Sequence, residues 1–198
     1  DILAGRDVCG KAKTGSGKTL AFGLPLVQLL PRAHPGRPTG LALVPTRELA
    51  TQVRDELVAA SHAKGIRIAA IYGGDPIEKQ IKALKSGVEF AVCTPGRAID
   101  LIERGDLSVA DVRHVVIDEA DRMADMGFLP QVEWILRNVE GDHQTLLFSA
   151  TLDGVVDTLV RRYQHDPTRH EVASKGVNVE QMTHRFLLVH EMDKVKVT

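Results

Sequence analysis

This sequence predicts an α/β fold, with a mostly parallel sheet and helices on both faces. Three observations lead there. Short apolar, β-branched runs alternate with longer amphipathic stretches along the chain. A glycine-rich turn ending in lysine separates the first such run from the first helical pattern. Another apolar run ends in paired carboxylates, and in open α/β sheets the C-terminal ends of strands are where ligands gather.

The elements follow in order. Strands are expected at residues 7–10, 41–44, 66–72, 90–94, 114–117 and 145–149, each a short run bounded by turn formers. Helical patterns lie near 17–30, 47–64, 76–84, 96–104, 129–138 and 155–164. The Pro- and Gly-rich stretch 31–39 reads as a loop. After Asp166-Pro167 comes a short extended piece at 170–173, closing a first unit of residues 1–173. Residues 174–184 are polar and without a period, as in a linker. Residues 185–189 turn apolar again, and a strand with so little chain after it builds no core of its own. They read as the opening of a truncated neighbour at 185–198, or as an added edge strand.

At 198 residues the chain can bury one good core, and 43% hydrophobic with 26% charged residues is the balance of a soluble globular domain. Its apolar runs are too short to cross a bilayer, and nothing at its start marks it for secretion, so no membrane association is expected. Cys9 and Cys93 both sit in apolar runs and read as buried free thiols, which fits a reducing cytoplasm. The eight histidines form no metal-ligand pattern. A net charge of -1 excludes a globally basic nucleic-acid binder but leaves room for a local phosphate-binding groove.

Two strand–helix junctions carry nucleotide chemistry. In Thr14-Gly15-Ser16-Gly17-Lys18-Thr19 the glycines let the backbone curl so that its N–H groups approach a phosphate closely. The helix that follows adds free N–H groups and its positive dipole end. Lys18 can reach β- and γ-phosphates, and the Thr19 hydroxyl can ligate Mg²⁺. Ala12 stands where the usual phosphate-loop pattern has its first glycine. The second junction is His114-Val115-Val116-Ile117-Asp118-Glu119-Ala120-Asp121. Asp118 would hold Mg²⁺, mainly through its waters, and Glu119 would orient or deprotonate an attacking water. Lys18, Asp118 and Glu119 are therefore the catalytic candidates.

Three further junctions suit a nucleic-acid backbone. Pro45-Thr46-Arg47 and Thr94-Pro95-Gly96-Arg97 each offer helix N-terminal N–H groups and one arginine, and Gly73-Gly74 permits close approach of a sugar-phosphate chain. The plainer alternative is that Arg47 and Arg97 pair with surface carboxylates and that the glycines form an ordinary turn.

With these motifs in one order, the chain resembles the first RecA-like lobe of a DEAD-box RNA helicase of superfamily 2, over nearly all of residues 1–173. Pro45-Thr46-Arg47-Glu48-Leu49-Ala50 matches that family's motif Ia, Gly73-Gly74 its GG motif and Thr94-Pro95-Gly96-Arg97 motif Ib. Asp118-Glu119-Ala120-Asp121 matches motif II, and Ser149-Ala150-Thr151 motif III. Lys13 stands where the family more often has Gln.

The resemblance implies a RecA-like P-loop NTPase domain that uses ATP and Mg²⁺ and contacts RNA through sugars and phosphates. For the intact protein it implies two RecA-like lobes in a monomer, RNA-dependent ATPase activity and local duplex unwinding. It also implies that Ser149 and Thr151 hydrogen-bond Asp121 and couple nucleotide state to lobe closure, although a capping Ser/Thr pair would look the same. The adenine-reading Q motif is expected upstream of this chain, and the second RecA-like lobe downstream. Finally, the resemblance implies that the strand of Ser149 lies between those of Gly10 and Asp118. A DNA translocase of the same superfamily and a nucleotide-regulated scaffold are the rival readings.

Overall fold

A computed structural model describes residues 1–172. The linker expected at 174–184 and the second-lobe start expected at 185–198 lie outside the described residues.

After a single 3-10 turn at Ile2–Ala4, strands and helices alternate along the chain. β1 (Val8–Lys11) leads through the glycine-rich turn into α1 (Lys18–Leu29). β2 (Gly40–Leu43) is followed by α2 (Arg47–Lys64), β3 (Ile68–Ile71) by α3 (Ile77–Lys85), and β4 (Phe90–Cys93) by α4 (Pro95–Glu103). β5 (His114–Ile117) precedes two helices, α5 (Ala120–Asp125) and α6 (Leu129–Asn138). β6 (Gln144–Ser149), α7 (Gly154–Tyr163) and β7 (Thr168–Glu171) complete the unit.

All seven strands of the described residues are parallel, in the order β3-β4-β2-β5-β6-β1-β7. β6 pairs with β1 on one side (Cys9 opposite Leu147) and with β5 on the other (Ile117 opposite Leu147), the insertion expected from the resemblance. The central strands are apolar throughout because both faces are covered. Val115 and Ile117 of β5 pack with Leu101, Val132, Ile135 and Leu159 of α4, α6 and α7. Val116, between them, packs with Phe22, Leu26, Val53 and Leu57 of α1 and α2 on the opposite face. Cys9 and Cys93 are buried free thiols, and burial pushes both upward in pKa.

Differences from the sequence expectation cluster where side chains replace backbone partners. β1 begins at Val8 rather than at residue 7, because the Asp7 carboxylate accepts from the backbone N–H groups of Thr145 and His165, both at 2.7 Å. β3 is shorter than the expected 66–72. Its approach is tied by the buried Glu89, which accepts from the N–H of Arg67 at 2.8 Å, and its exit by Gln80, which bonds both backbone groups of Tyr72. The extended piece expected at 170–173 begins two residues earlier and pairs with β1 as the sheet edge. Helix α5 was not expected; it is six residues long, too short for a periodic signal.

Candidate nucleotide and nucleic-acid site

Because every strand runs the same way, the junctions after β1, β2, β3, β4, β5 and β6 all emerge along one edge of the sheet. The residues singled out in the sequence are thereby brought to one edge, in two groups.

The first group surrounds the turn after β1. Gly15 and Gly17 have φ of 80° and 84°, the left-handed region that a side chain disfavours, and Gly17 caps α1. The turn therefore curls, and α1 starts with Lys18 and Thr19 both buried. Lys18 Nζ lies 3.4 Å from Asp118 Oδ1 at the end of β5, and the two side chains are only 8% and 2% exposed. Asp118 Oδ1 also accepts from the Glu119 N–H at 2.9 Å. Burial raises the Asp118 pKa above the ordinary carboxylate range, and the nearby Lys18 ammonium works against that rise.

Glu119 caps α5 with φ 53° and ψ 49°, a left-handed conformation uncommon for a residue with a side chain. Both of its carboxylate oxygens are engaged. Oε1 accepts from the Thr14 hydroxyl at 2.8 Å, and Oε2 accepts from Arg122 Nη1 at 3.2 Å. A cavity of about 170 Å³ lies between the glycine-rich turn and the two carboxylates, lined by Thr14, Gly15, Gly17, Lys18, Thr19, Asp118 and Glu119. Leu49, Gln52 and Glu56 of α2 form its other wall. Sequence reasoning missed those α2 residues and Arg122. Gln52 and Glu56 stand on an exposed helix face and Leu49 on its apolar one, and only packing shows that all three meet the cavity.

Ser149, at the end of β6, is fully buried, and its hydroxyl accepts from the Asp121 N–H at 3.1 Å. Asp121 Oδ2 in turn accepts from the Ala150 N–H at 3.2 Å. Thr151 is exposed and makes no side-chain hydrogen bond among the described residues; the backbone of Ala150 fills the role expected of it. Ser16 and Gly17 also line an adjoining, mainly apolar cavity of about 430 Å³, with Val8, Ala21, Pro25, Phe148 and Val172 among its walls.

The second group lies at the β3–β4–β2 end. Thr46 caps α2, its hydroxyl accepting from the Leu49 N–H at 3.2 Å. Pro45 is buried behind it, and Arg47 is exposed, with Nε 2.6 Å from Glu48. Gly73 and Gly74 are exposed after β3, and Gly74 adopts φ 90° beside the Arg47 guanidinium. Thr94 caps α4, Pro95 opens it, and Gly96 is exposed with open space where a side chain would stand. Arg97 is different from Arg47. It is largely buried, and both terminal nitrogens donate to the Asp75 carbonyl at 3.3 Å, binding α4 to the glycine turn. Arg47, Gly74 and Arg97 thus meet around one loop.

A family model described as DEAD/DEAH box helicase matches residues 1–159. The chain belongs to this family. Curated relatives of this DEAD/DEAH box domain include the DEAD-box ATP-dependent RNA helicase CshA of Streptococcus pneumoniae, 42% identical over 192 residues, which are 97% of this chain and 36% of that protein. CshA of Geobacillus kaustophilus is 43% identical over 195 residues, 98% of this chain and 42% of the relative. The chain spans well under half the length of these relatives. Among solved structures, a DEAD box protein from Methanococcus jannaschii superposes with a TM-score of 0.80 at 41% identity, covering 86% of this chain and 46% of that one. The yeast DEAD-box splicing factor Prp28 gives 0.78 at 35% identity, covering 85% and 42%. The fold is that of RecA-like DEAD-box helicase domains.

Proposed function

We propose that this domain is the ATP- and RNA-binding first lobe of an ATP-dependent RNA helicase, and that ATP hydrolysis in the intact two-lobe protein drives local unwinding of RNA duplexes. The observation that carries this reading is the convergence of Lys18, Thr19, Asp118 and Glu119 on one cavity, with the Thr46, Gly74 and Arg97 junctions on the same sheet edge. The names of the curated relatives support it.

Phosphates fit the glycine-rich turn, where Gly15 and Gly17 leave open space and the N-terminus of α1 points outward. Lys18 neutralises phosphate charge once it is drawn from Asp118. The Thr19 hydroxyl and the Asp118 carboxylate wall the same cavity, and no cluster of three or more acidic, His or Cys ligands exists among the described residues. That donor set fits Mg²⁺, which keeps several waters and takes further oxygens from substrate phosphates. When bound there, Mg²⁺ would neutralise charge developing on the transferred phosphoryl group. Glu119 orients and takes a proton from the attacking water. The adjoining apolar cavity is placed to receive a base whose phosphates sit in the turn.

RNA lies along the other half of the edge, where helix N-terminal N–H groups and Arg47 meet phosphates. These groups touch no base edges, so sequence preference is weak. Asp121 and Ser149, bonded to each other at the ends of β5 and β6, couple nucleotide state to lobe closure. The test is ATP turnover by the intact protein with and without RNA, and with DNA of the same sequence. RNA-stimulated turnover supports the reading, and RNA-independent or DNA-selective turnover refutes it.

A further inference from the structure

Resting on the function just proposed, we propose that Gln80 of α3 is a positioning residue for RNA, holding the end of β3 so that the Gly73-Gly74 turn presents its backbone N–H groups to a phosphate. The turn makes the contact, and a buried amide behind it sets the shape of the turn.

Among the described residues β3 is an edge strand, with β4 on one side and no strand on the other. At its exit Gln80 takes the place of a strand partner. Its Oε1 accepts from the Tyr72 N–H at 3.2 Å, and its Nε2 donates to the Tyr72 carbonyl at 2.9 Å. The side chain is only 5% exposed, and both ends of its amide are committed to this one residue. Leaving a buried amide unpaired is costly, so the pairing fixes where β3 ends and the turn begins. Two further bonds hold the far side of the turn. Both terminal nitrogens of Arg97 donate to the Asp75 carbonyl, and the Tyr72 hydroxyl donates to Asp75 Oδ2 at 3.4 Å.

Between these anchors the backbone is unengaged. The N–H groups of Gly73 and Gly74 donate to no acceptor among the described residues, and both glycines are exposed. Gly73 has open space where a side chain would stand. At Gly74 the only neighbour of that position is the Arg47 guanidinium, 4.0 Å away. A turn with free N–H donors and an arginine beside it suits a phosphate oxygen. Glycine has more conformational freedom to lose than any other residue, so such a turn binds well only if its shape is already set. Gln80 sets it from the Tyr72 side. Without that amide the turn is anchored at Asp75 alone, and RNA must order the rest on arrival. None of these residues lines the nucleotide cavity, so the effect belongs to RNA binding and not to nucleotide binding.

The test uses the intact protein and a single-stranded uridine oligonucleotide, with Mg²⁺ and a non-hydrolysable ATP analogue present, and measures Mg-ADP affinity on the same preparations. Gln80→Glu keeps the size of the side chain but, when ionised, can only accept, so it loses the bond to the Tyr72 carbonyl. At about pH 8 it should bind RNA roughly tenfold more weakly than the parent, with Mg-ADP affinity unchanged. Burial raises the pKa of the introduced carboxyl, and at about pH 5.5 its protonated form again donates and accepts as the amide does. RNA affinity relative to the parent at the same pH should then recover to within about twofold. Tyr72, Asp75 and Arg97, the ionisable groups bonded around this turn, are common to both chains and cancel in that ratio. Gln80→Met fills the space without either bond, and should be weakened equally at both pH values. If Gln80→Glu does not fold, Gln80→Met with its RNA and Mg-ADP affinities decides alone. RNA binding equal to the parent's in Gln80→Met, or Mg-ADP affinity falling in step with RNA affinity, would overturn the positioning role. So would a Gln80→Glu defect that is the same at both pH values. A parent that does not bind the oligonucleotide would instead strike the proposed function on which this rests.

Discussion

At the β5–β6–β1 end of the sheet edge, Lys18, Asp118 and Ser149 are buried, and Lys18 contacts Asp118, Thr14 bonds Glu119 and Ser149 bonds Asp121. At the β3–β4–β2 end, Gly73, Gly74 and Arg47 are exposed, Arg47 being paired only with its equally exposed neighbour Glu48, while Thr46 and Arg97 are tied to backbone. The two ends emerge from the same parallel sheet, so the difference comes from what each must hold. A site for phosphates and a metal ion concentrates charge in a small volume, and without ligands its own lysine and carboxylates must satisfy one another or be costly to bury. A surface for a polymer backbone needs exposed donors in a row, and these are content with water. The buried end is thus closed by exchangeable contacts, and the open end is available as it stands.

The contrast is broken most severely at Lys18. Lys18→Ala removes a charge-assisted contact and should weaken Mg-ATP and Mg-ADP binding by about 1.5–3 kcal/mol. Titration calorimetry on both variants checks it, and equal affinities would contradict the role of Lys18.

Asp118 tests whether the buried end is under electrostatic tension without ligand. Its folded-state pKa is raised, so the folded chain binds that proton more tightly than the unfolded chain does. Stability contributed by this group therefore falls as pH rises from the ordinary carboxylate range through the raised value. Asp118→Asn removes the penalty. In chain free of nucleotide and magnesium, the variant should melt above the parent at neutral pH, with the gain gone below about pH 4. A gain that grew toward acid would refute the sign.

At the open end, the restrained residues should behave unlike the free one. Thr46→Ala deletes the cap of α2 and should cost about 1 kcal/mol of stability, read by denaturant unfolding. Arg97→Ala should lower both stability and RNA affinity, because its guanidinium also ties α4 to the Asp75 carbonyl. Arg47→Ala should leave stability within about 0.5 kcal/mol of the parent. In RNA binding by the intact protein, it should flatten the salt dependence by about 0.7 logarithmic units per decade. Indistinguishable profiles for Arg47→Ala and Arg97→Ala would erase the distinction between them.

Much of this was legible in the chain. The apolar runs of β2, β4, β5 and β6 are short and unbroken because both sheet faces are covered, and such runs read as buried strands without any tertiary knowledge. Gly15, Gly17, Lys18 and Thr19 declare a phosphate-binding turn because a small set of residues supplies its geometry locally. Where sequence reading missed, a distant partner was responsible. Asp7 looks like the first residue of a strand, yet its carboxylate serves Thr145 and His165, far along the chain. Thr151 looks like the natural companion of Ser149, yet a backbone N–H one residue earlier reaches Asp121 first.

By itself, then, the sequence determined the class of fold, the phosphate-binding turn, the carboxylate pair and the strand–helix junctions, since each is written in neighbouring residues and in backbone preferences. Only the tertiary structure decided which of these groups face one another. Lys18 and Asp118 are 100 positions apart and Thr14 and Glu119 are 105, so their contacts exist because the parallel sheet ends β1 and β5 on the same edge, with β6 between them. The same packing separates Arg97, which holds a loop, from Arg47, which is exposed and paired only with its neighbour Glu48. Residue type sets what a side chain can do, and the strand order sets what it has to do it with.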